Sequence, residues 1–365
     1  MPLHRANIDD VLASPEGLLR FDAVIDARSP GEFTLDHLPG AVNWPSLDDE
    51  ERRLVGTEYK QVSAFEARKR GAVLVARNIA RHLEREALAL PREWQPLVYC
   101  WRGGQRSGSM ALVLSQVGFD VQVLEGGYRA FRRHVVSALQ TAGTDLALRL
   151  ICGKTGSGKS RLLHALATHG AQVLDLEALA EHRGSVLGAH PEAPQPSQKQ
   201  FETRLWQALQ QFDRQRPVFV ESESRLIGRL RVPEALLQHM RAAPCLIVDM
   251  PVPARVQLLM EDYAHFAQDP ALLCQRLDSL REVRGHDVIE QWQSAIRQGR
   301  LDEAVTRLLC EHYDPIYLRS MERNFAHFDG APQLSIPSGS LADLAKAATQ
   351  VMHLFQIKEP AARPA

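Results

Sequence analysis

Leu97-Val98-Tyr99-Cys100-Trp101-Arg102-Gly103-Gly104-Gln105-Arg106-Ser107 is the stretch from which the fold follows. The apolar run from Pro96 to Tyr99 reads as a short buried strand. It stops at a cysteine followed by two glycines, two arginines and a serine, ahead of the helical pattern Met110 to Val117. Strand, loop and helix therefore carry a thiol at the strand end. Gly103 and Gly104 let the backbone curl so that several N–H groups point inward, an anion nest at a helix N-terminus. With Arg102 and Arg106 nearby, Cys100 is predicted to titrate below the ordinary thiol value and to be nucleophilic near neutral pH.

Around this loop the first half alternates short strands with helices. Phe21 to Asp26 is a strand ending in an acid, and Arg28-Ser29-Pro30-Gly31-Glu32-Phe33 turns into a helix start. His37-Leu38-Pro39-Gly40-Ala41-Val42-Asn43-Trp44 is a turn feeding another strand. Glu50 to Arg92 is long, charged and helical. Val121 to Leu124 is a further strand, followed by Glu125-Gly126-Gly127-Tyr128 and a basic helix with Arg129, Arg132 and Arg133. This alternation predicts a doubly wound parallel sheet, with the reactive loop at the carboxyl ends of its strands. Asp26 and His37 each have a simpler role as loop and turn anchors. The three arginines read either as a solvated helix face or as contacts to an RNA backbone.

Asp26-Ala27-Arg28, His37-Leu38-Pro39-Gly40-Ala41, the Cys100 loop and Leu124-Glu125-Gly126-Gly127 resemble, in order, the signatures of a rhodanese domain. The resemblance implies chalcogen transfer at Cys100, supported by Asp26, Arg28 and His37. One feature departs from it: five residues separate Cys100 from Arg106, where the sulfurtransferase loop has four. A loop of this length resembles the rhodanese-fold phosphatases, and suits a phosphorus-bearing chalcogen donor equally well.

In the second half, Leu146 to Cys152 is a strand running into Gly153-Lys154-Thr155-Gly156-Ser157-Gly158-Lys159-Ser160. This is GxxxxGK[ST] between a strand and a helix, the phosphate-loop context. Its N–H groups cradle a diphosphate, Lys159 neutralises it and Ser160 can reach a magnesium ion. A magnesium-organising carboxylate on a second strand has three candidates, Glu221, Glu223 and Asp249; the first two face the same way if their strand continues. A dense polar set accompanies them: Asp175, Glu177, His182, Arg183, Ser185 and Arg225.

With the Cys-Trp-Arg-Gly-Gly loop, these residues resemble the bacterial tRNA 2-selenouridine synthase family over nearly the whole chain. The resemblance implies a rhodanese-like domain, at 1–138, joined to a P-loop NTPase-like parallel-sheet domain, at 146–355; the small polar stretch 139–145 reads as the linker, and the pattern from Leu258 onward as a helical C-terminal part. It implies replacement of the 2-thio sulfur of a tRNA wobble uridine by selenium, with selenophosphate as donor. It also implies geranylation of that sulfur from geranyl diphosphate. Both donors are substrates and no tightly bound cofactor or metal is expected, although Ser160 can reach a magnesium ion. The implied partners are tRNA carrying 2-thiouridine and, as donor source, selenophosphate synthetase. A rhodanese-fold phosphatase and a nucleotide-driven RNA-binding switch are the rival readings.

Composition narrows the classes. The chain of 365 residues suits two domains. A formal net charge of −1 gives no global pull toward nucleic acid, so RNA contacts must be local. Arg276, Arg281, Arg284, Arg300, Arg307, Arg319 and Arg323 recur on the helical segments after Leu258 and are the local candidates. Five scattered cysteines show neither a disulfide framework nor zinc spacing. The absence of a secretory signal or an apolar span predicts a cytoplasmic protein with no membrane partner. Residues 190–196 read as a mobile loop, and 356–365 as a disordered tail.

Overall fold

A computed structural model of the chain describes residues 3–14, 16–185, 188 and 194–355. The tail at 356–365 and most of the 190–196 loop lie outside the described residues. The chain forms two compact units, Met1–Leu139 with Pro196–Gln207, and Gln140–Gln195 with Ala208–Ala365.

The first unit is built on a five-stranded sheet, β1 (His4–Ala6), β2 (Ala23–Asp26), β3 (Ala41–Asn43), β4 (Pro96–Tyr99) and β5 (Gln122–Leu124). The order is β1-β5-β4-β2-β3 and every pairing is parallel. β4 is buried along its whole length, as its unbroken apolar run requires. It lies where strand order reverses, so the loop after Tyr99 leaves the sheet at the crevice a doubly wound fold reserves for ligands. Ile25, Val98, Met110, Leu114 and Val123 form the core beneath it.

Several elements differ from expectation. The helix after the cysteine loop starts at Gln105, not Met110, so Arg106 and Ser107 stand in its first turn. The long helical stretch is three pieces, Asp49–Gln61, Ala64–His82 and a π-helical turn at Leu83–Ala87. It breaks because the Ser63 hydroxyl accepts from the N–H groups of Phe65 and Glu66, starting a new helix. Residues 139–145, expected as a linker, form a packed turn in which Ala142 is buried. Pro196–Gln207, expected in the second domain, belongs to the first unit. Burial draws it there: Trp206 packs edge-on against Phe131 at 5.7 Å, Thr203 donates to Asp36, and Glu202 pairs with Arg132.

The second unit has a parallel sheet of β6 (Leu148–Gly153), β7 (Gln172–Leu174), β8 (Val218–Glu221), β11 (Cys245–Asp249) and β12 (Gln333–Ser335), in the order β12-β11-β6-β8-β7. A two-stranded hairpin, β9 (Leu226–Ile227) and β10 (Leu230–Arg231), stands apart from it. β6 is central, so the phosphate loop opens at the middle of the sheet. Ile151, Leu162, Phe219, Val248, Ile336 and Leu344 make its core. β1, β7 and β12 were not read from the sequence: three residues are too short for a periodic signal, and β3 and β5, of the same length, were read only from their place beside the turn motifs at 37–40 and 125–127. From Leu258 onward the chain is helical as expected except for β12, and the helices at Pro270–Asp278, His286–Arg297 and Leu301–Arg307 bury Trp292 completely in a core of their own.

Candidate functional site

Cys100 follows β4 directly, and the residue is only 4 % exposed. Burial alone would push its thiol up. The Ser107 hydroxyl, which donates to Sγ at 3.1 Å, together with the N–H groups of Ser107 and Arg102 and the charge of Arg106, outweighs burial and brings it below the ordinary thiol value. Arg102 thus acts through its backbone, while its exposed side chain leaves the loop. The Arg106 guanidinium is held at 2.8 Å by Glu32, which also binds Arg52. Both cations keep the Glu32 carboxyl below the usual range against the effect of its burial.

The loop keeps its shape through glycine. Gly103 has φ +66°, and a Cβ there would lie 2.6 Å from the Leu124 carbonyl. Gly127 has φ +57°, and its Cβ would lie 2.2 Å from the Cys100 carbonyl oxygen. The Leu124-Glu125-Gly126-Gly127 turn is therefore the bed on which the cysteine loop rests, with Tyr128 N–H donating to Cys100 O at 2.8 Å. Gly104 caps the helix in open space and Gln105 is exposed. A cavity of about 510 Å³ adjoins the loop, walled by Trp101, Arg106, Arg28, Tyr128, Glu32 and Lys199. Trp101 stacks on Tyr128, with ring centroids 5.4 Å apart.

Asp26, Arg28 and His37 are placed as supports. Asp26 and Arg28 form a buried ion pair at 2.6 Å, and Arg28 also donates to the Asp36 carbonyl and lies over the Tyr128 ring. His37 contacts Phe33 O at 2.9 Å and stacks on the Phe33 ring. Sequence reasoning missed Asp36, a buried carboxylate that accepts from the Tyr128 hydroxyl at 2.6 Å. Its only signal was an acid one residue before His37. Arg132 is taken up by Glu202, so it is not part of a solvated face.

The second cradle is the loop Gly153–Ser160. Gly156 (φ +75°) and Gly158 (φ +80°) supply its left-handed turns, and Lys159 Nζ lies within 2.8 Å of Gly153 O, folded over the loop it would neutralise. Tyr317, which the sequence did not single out, accepts from Gly153 N–H at 2.6 Å and meets Ser222 Oγ at 3.1 Å. Ser160 Oγ sits 2.9 Å from Glu177 and 3.3 Å from Glu221. β8 ends at Glu221, so the strand does not continue to Glu223. Even so, Glu223 comes close to Glu177: a Cβ on Gly184 would lie 2.5 Å from Glu177 Oε1 and 3.0 Å from Glu223 Oε1. Burial first, then mutual repulsion, raises Glu221 far above its ordinary range and pushes Glu223 up to about 8. Glu177 is raised as well, mainly by burial and despite Lys159.

A cleft of about 980 Å³ joins this loop to Asp175, Glu177, His182, Arg183, Ser185 and Arg225. Asp175 caps the helix Leu176–Ala180 and binds His164. Arg183 lies over the Tyr263 ring at 4.9 Å, and Ser185 Oγ meets the Tyr263 hydroxyl at 3.3 Å. Asp249, the third carboxylate candidate, ends β11 and is not among the described residues lining this cleft. The arginines expected to contact RNA are in good part already engaged: Arg281 with Asp278, Arg300 with Glu303, Arg307 with Glu311, and Arg284 with His312.

Residues 10–134 match the family described as Rhodanese-like domain, and residues 146–276 match the tRNA 2-selenouridine synthase AAA domain. A tRNA 2-selenouridine synthase of Nitrosomonas europaea is 40% identical over 345 residues, covering 82% of this chain and 89% of that protein. The chain belongs to the tRNA 2-selenouridine synthase family. Members from Alcanivorax borkumensis (33% identical; 80% of this chain, 88% of that one) and Shewanella piezotolerans (33%; 82% and 89%) agree. Within the family's two-part layout, the thiol nest falls in the rhodanese-like match and the phosphate loop in the AAA match.

Proposed function

We propose that this protein converts 2-thiouridine to 2-selenouridine at the wobble position of tRNA, taking selenium from selenophosphate and passing through an S-geranylated intermediate made from geranyl diphosphate. The observation that carries this reading is the pairing, on one chain of this family, of an anion nest at an activated thiol with a separate loop built for paired phosphates. In the first step the thiocarbonyl sulfur attacks C1 of the prenyl donor; an S–C bond forms, the C–O bond breaks and diphosphate leaves. The loop Gly153–Ser160 and Lys159 take up the charge that develops on that leaving group. In the second step a selenium nucleophile adds at C2 of the base, the C2–S bond breaks and the prenyl thiol departs. Alkylation is useful because it turns a poor leaving group into a better one.

In the rhodanese-like unit, the N–H groups after Cys100 and the Arg106 charge suit the phosphate of selenophosphate, with Cys100 taking part in selenium delivery. The five-residue loop is wide enough for a tetrahedral oxyanion. At the second cradle, Ser160, Glu177 and Glu221 form an oxygen-rich set that fits a magnesium ion, whose charge would relieve their mutual repulsion. No helix among the described residues is long and apolar enough to cross a membrane.

Mass spectrometry of tRNA nucleosides after incubation with each donor tests the reading. Geranyl diphosphate alone should yield the S-geranyl nucleoside, and subsequent selenophosphate the seleno nucleoside. Hydrolysis of phosphate esters without selenium incorporation would favour the phosphatase reading instead.

A further inference from the structure

Beside the phosphate loop the second unit holds a narrow apolar slot of about 60 Å³, bounded at depth by Leu277, Ile296, Ala304 and Leu308. One part of its wall, Thr155, Ser185, Leu259, Tyr263 and Tyr313, also lines the cleft. Thr155 belongs to the phosphate loop itself. Its neighbour Gly156 has no room for a side chain, since a Cβ would lie 2.9 Å from Leu259 Cγ. The loop backbone and the slot wall are thus in van der Waals contact. They are also locked in register: Arg255, 1 % exposed, donates to Thr155 O at 2.7 and 2.9 Å and pairs with Asp314 at 2.6 Å.

We propose that this slot holds the hydrocarbon chain of the diphosphate ester whose head sits in the loop, an inference that rests on the prenyl-diphosphate reading above. Three observations point there. The polar groups of the slot all stand at the end shared with the cleft, so an occupant must be polar at one end and apolar at the other. The volume takes roughly five water-sized spheres, room for the far end of a ten-carbon chain and not for a whole base. A nucleobase would bring ring nitrogens and an amino group against leucine and isoleucine, leaving them without partners. The helices that build the slot bury Trp292 and form a core of their own, so the slot is walled by packed side chains.

Calorimetric titration of the full-length protein with inorganic diphosphate, dimethylallyl diphosphate, geranyl diphosphate and ADP tests this without any mutation. The expected result is an affinity at least tenfold higher for geranyl diphosphate than for inorganic diphosphate, with dimethylallyl diphosphate between them and ADP no better than inorganic diphosphate. Ala304→Phe, which fills the slot, should erase most of the geranyl gain while inorganic diphosphate binds within twofold of wild type. Equal affinity for inorganic and geranyl diphosphate, or tighter binding of ADP than of geranyl diphosphate, would overturn the slot while leaving the loop's grip on diphosphate intact. Failure of inorganic diphosphate itself to bind would remove the loop reading, and the slot with it.

Discussion

Cys100 is 4 % exposed, and Ser107 is what eases its ionisation: burial opposes the thiolate, while one hydroxyl and two N–H groups aim their positive ends at sulfur. A hydrogen bond to a charged group contributes about 1.5–3 kcal/mol. Ser107→Ala should therefore raise the midpoint of the pH–alkylation profile of Cys100 by about one unit or more and slow alkylation at neutral pH about tenfold. Iodoacetamide labelling followed by peptide mass spectrometry reads this directly, and an unchanged midpoint would show that the hydroxyl is not the stabilising partner. Glu223 runs the other way. Its folded-state value, about 8, lies above that of an unfolded carboxyl, so its charge costs nothing in acid, costs progressively more as pH rises toward 8, and the full amount above. Glu223→Gln should raise the melting temperature by several degrees at pH 9 without divalent cations, and change it little at pH 5. A variant less stable than wild type at pH 9 would mean that the ionised carboxylate has a partner worth more than its repulsion.

At the scale of elements, the loop after β4 depends on the turn after β5. Gly127→Ala would force a Cβ to within 2.2 Å of the Cys100 carbonyl at a positive φ, whereas Gly104→Ala meets nothing within 4 Å. We expect the first to lower the melting temperature by more than about 5 °C and to abolish the Cys100 rate advantage, and the second to be tolerated in thermal melts. Equal effects would show that the Gly-Gly turn is not the bed of the loop. The strands carrying chemistry were legible because both are largely buried and read as apolar runs, broken in β6 only by Arg149, that end in glycine-rich loops. Helix starts were less so: the helix at Gln105 begins inside the loop because the nest itself supplies its first turn. The segment Pro196–Gln207 was misassigned for a different reason, since Trp206 and Phe201 declare only that they will be buried, not against which sheet.

For the molecule as a whole, two cradles on one chain predict separable losses. Cys100→Ser should stop selenium incorporation while geranylation survives in part, and Lys159→Ala should cut geranylation about a hundredfold or more by removing charge from the leaving group. Nucleoside mass spectrometry reads both products in one sample: Lys159→Ala should lose both, because selenation follows geranylation, and loss of both to the same degree in Cys100→Ser would count against separate sites. A nucleotide-driven switch predicts instead that Cys100→Ser keeps activity.

What the residues alone determined is local. The apolar run into Cys-Trp-Arg-Gly-Gly and the run into Gly-Lys-Thr-Gly-Ser-Gly-Lys-Ser each encode strand, nest and helix within about twenty neighbouring positions, because backbone curl and buried-strand hydrophobicity are short-range properties. Tertiary structure alone decided the rest. It brought Glu177, Glu223 and Gly184 together, set Tyr317 against Gly153 from 164 positions away, and closed a hydrocarbon-lined slot beside Thr155. Such contacts depend on which buried faces meet across the sheet and the helical layer, and spacing along a chain carries no record of that meeting.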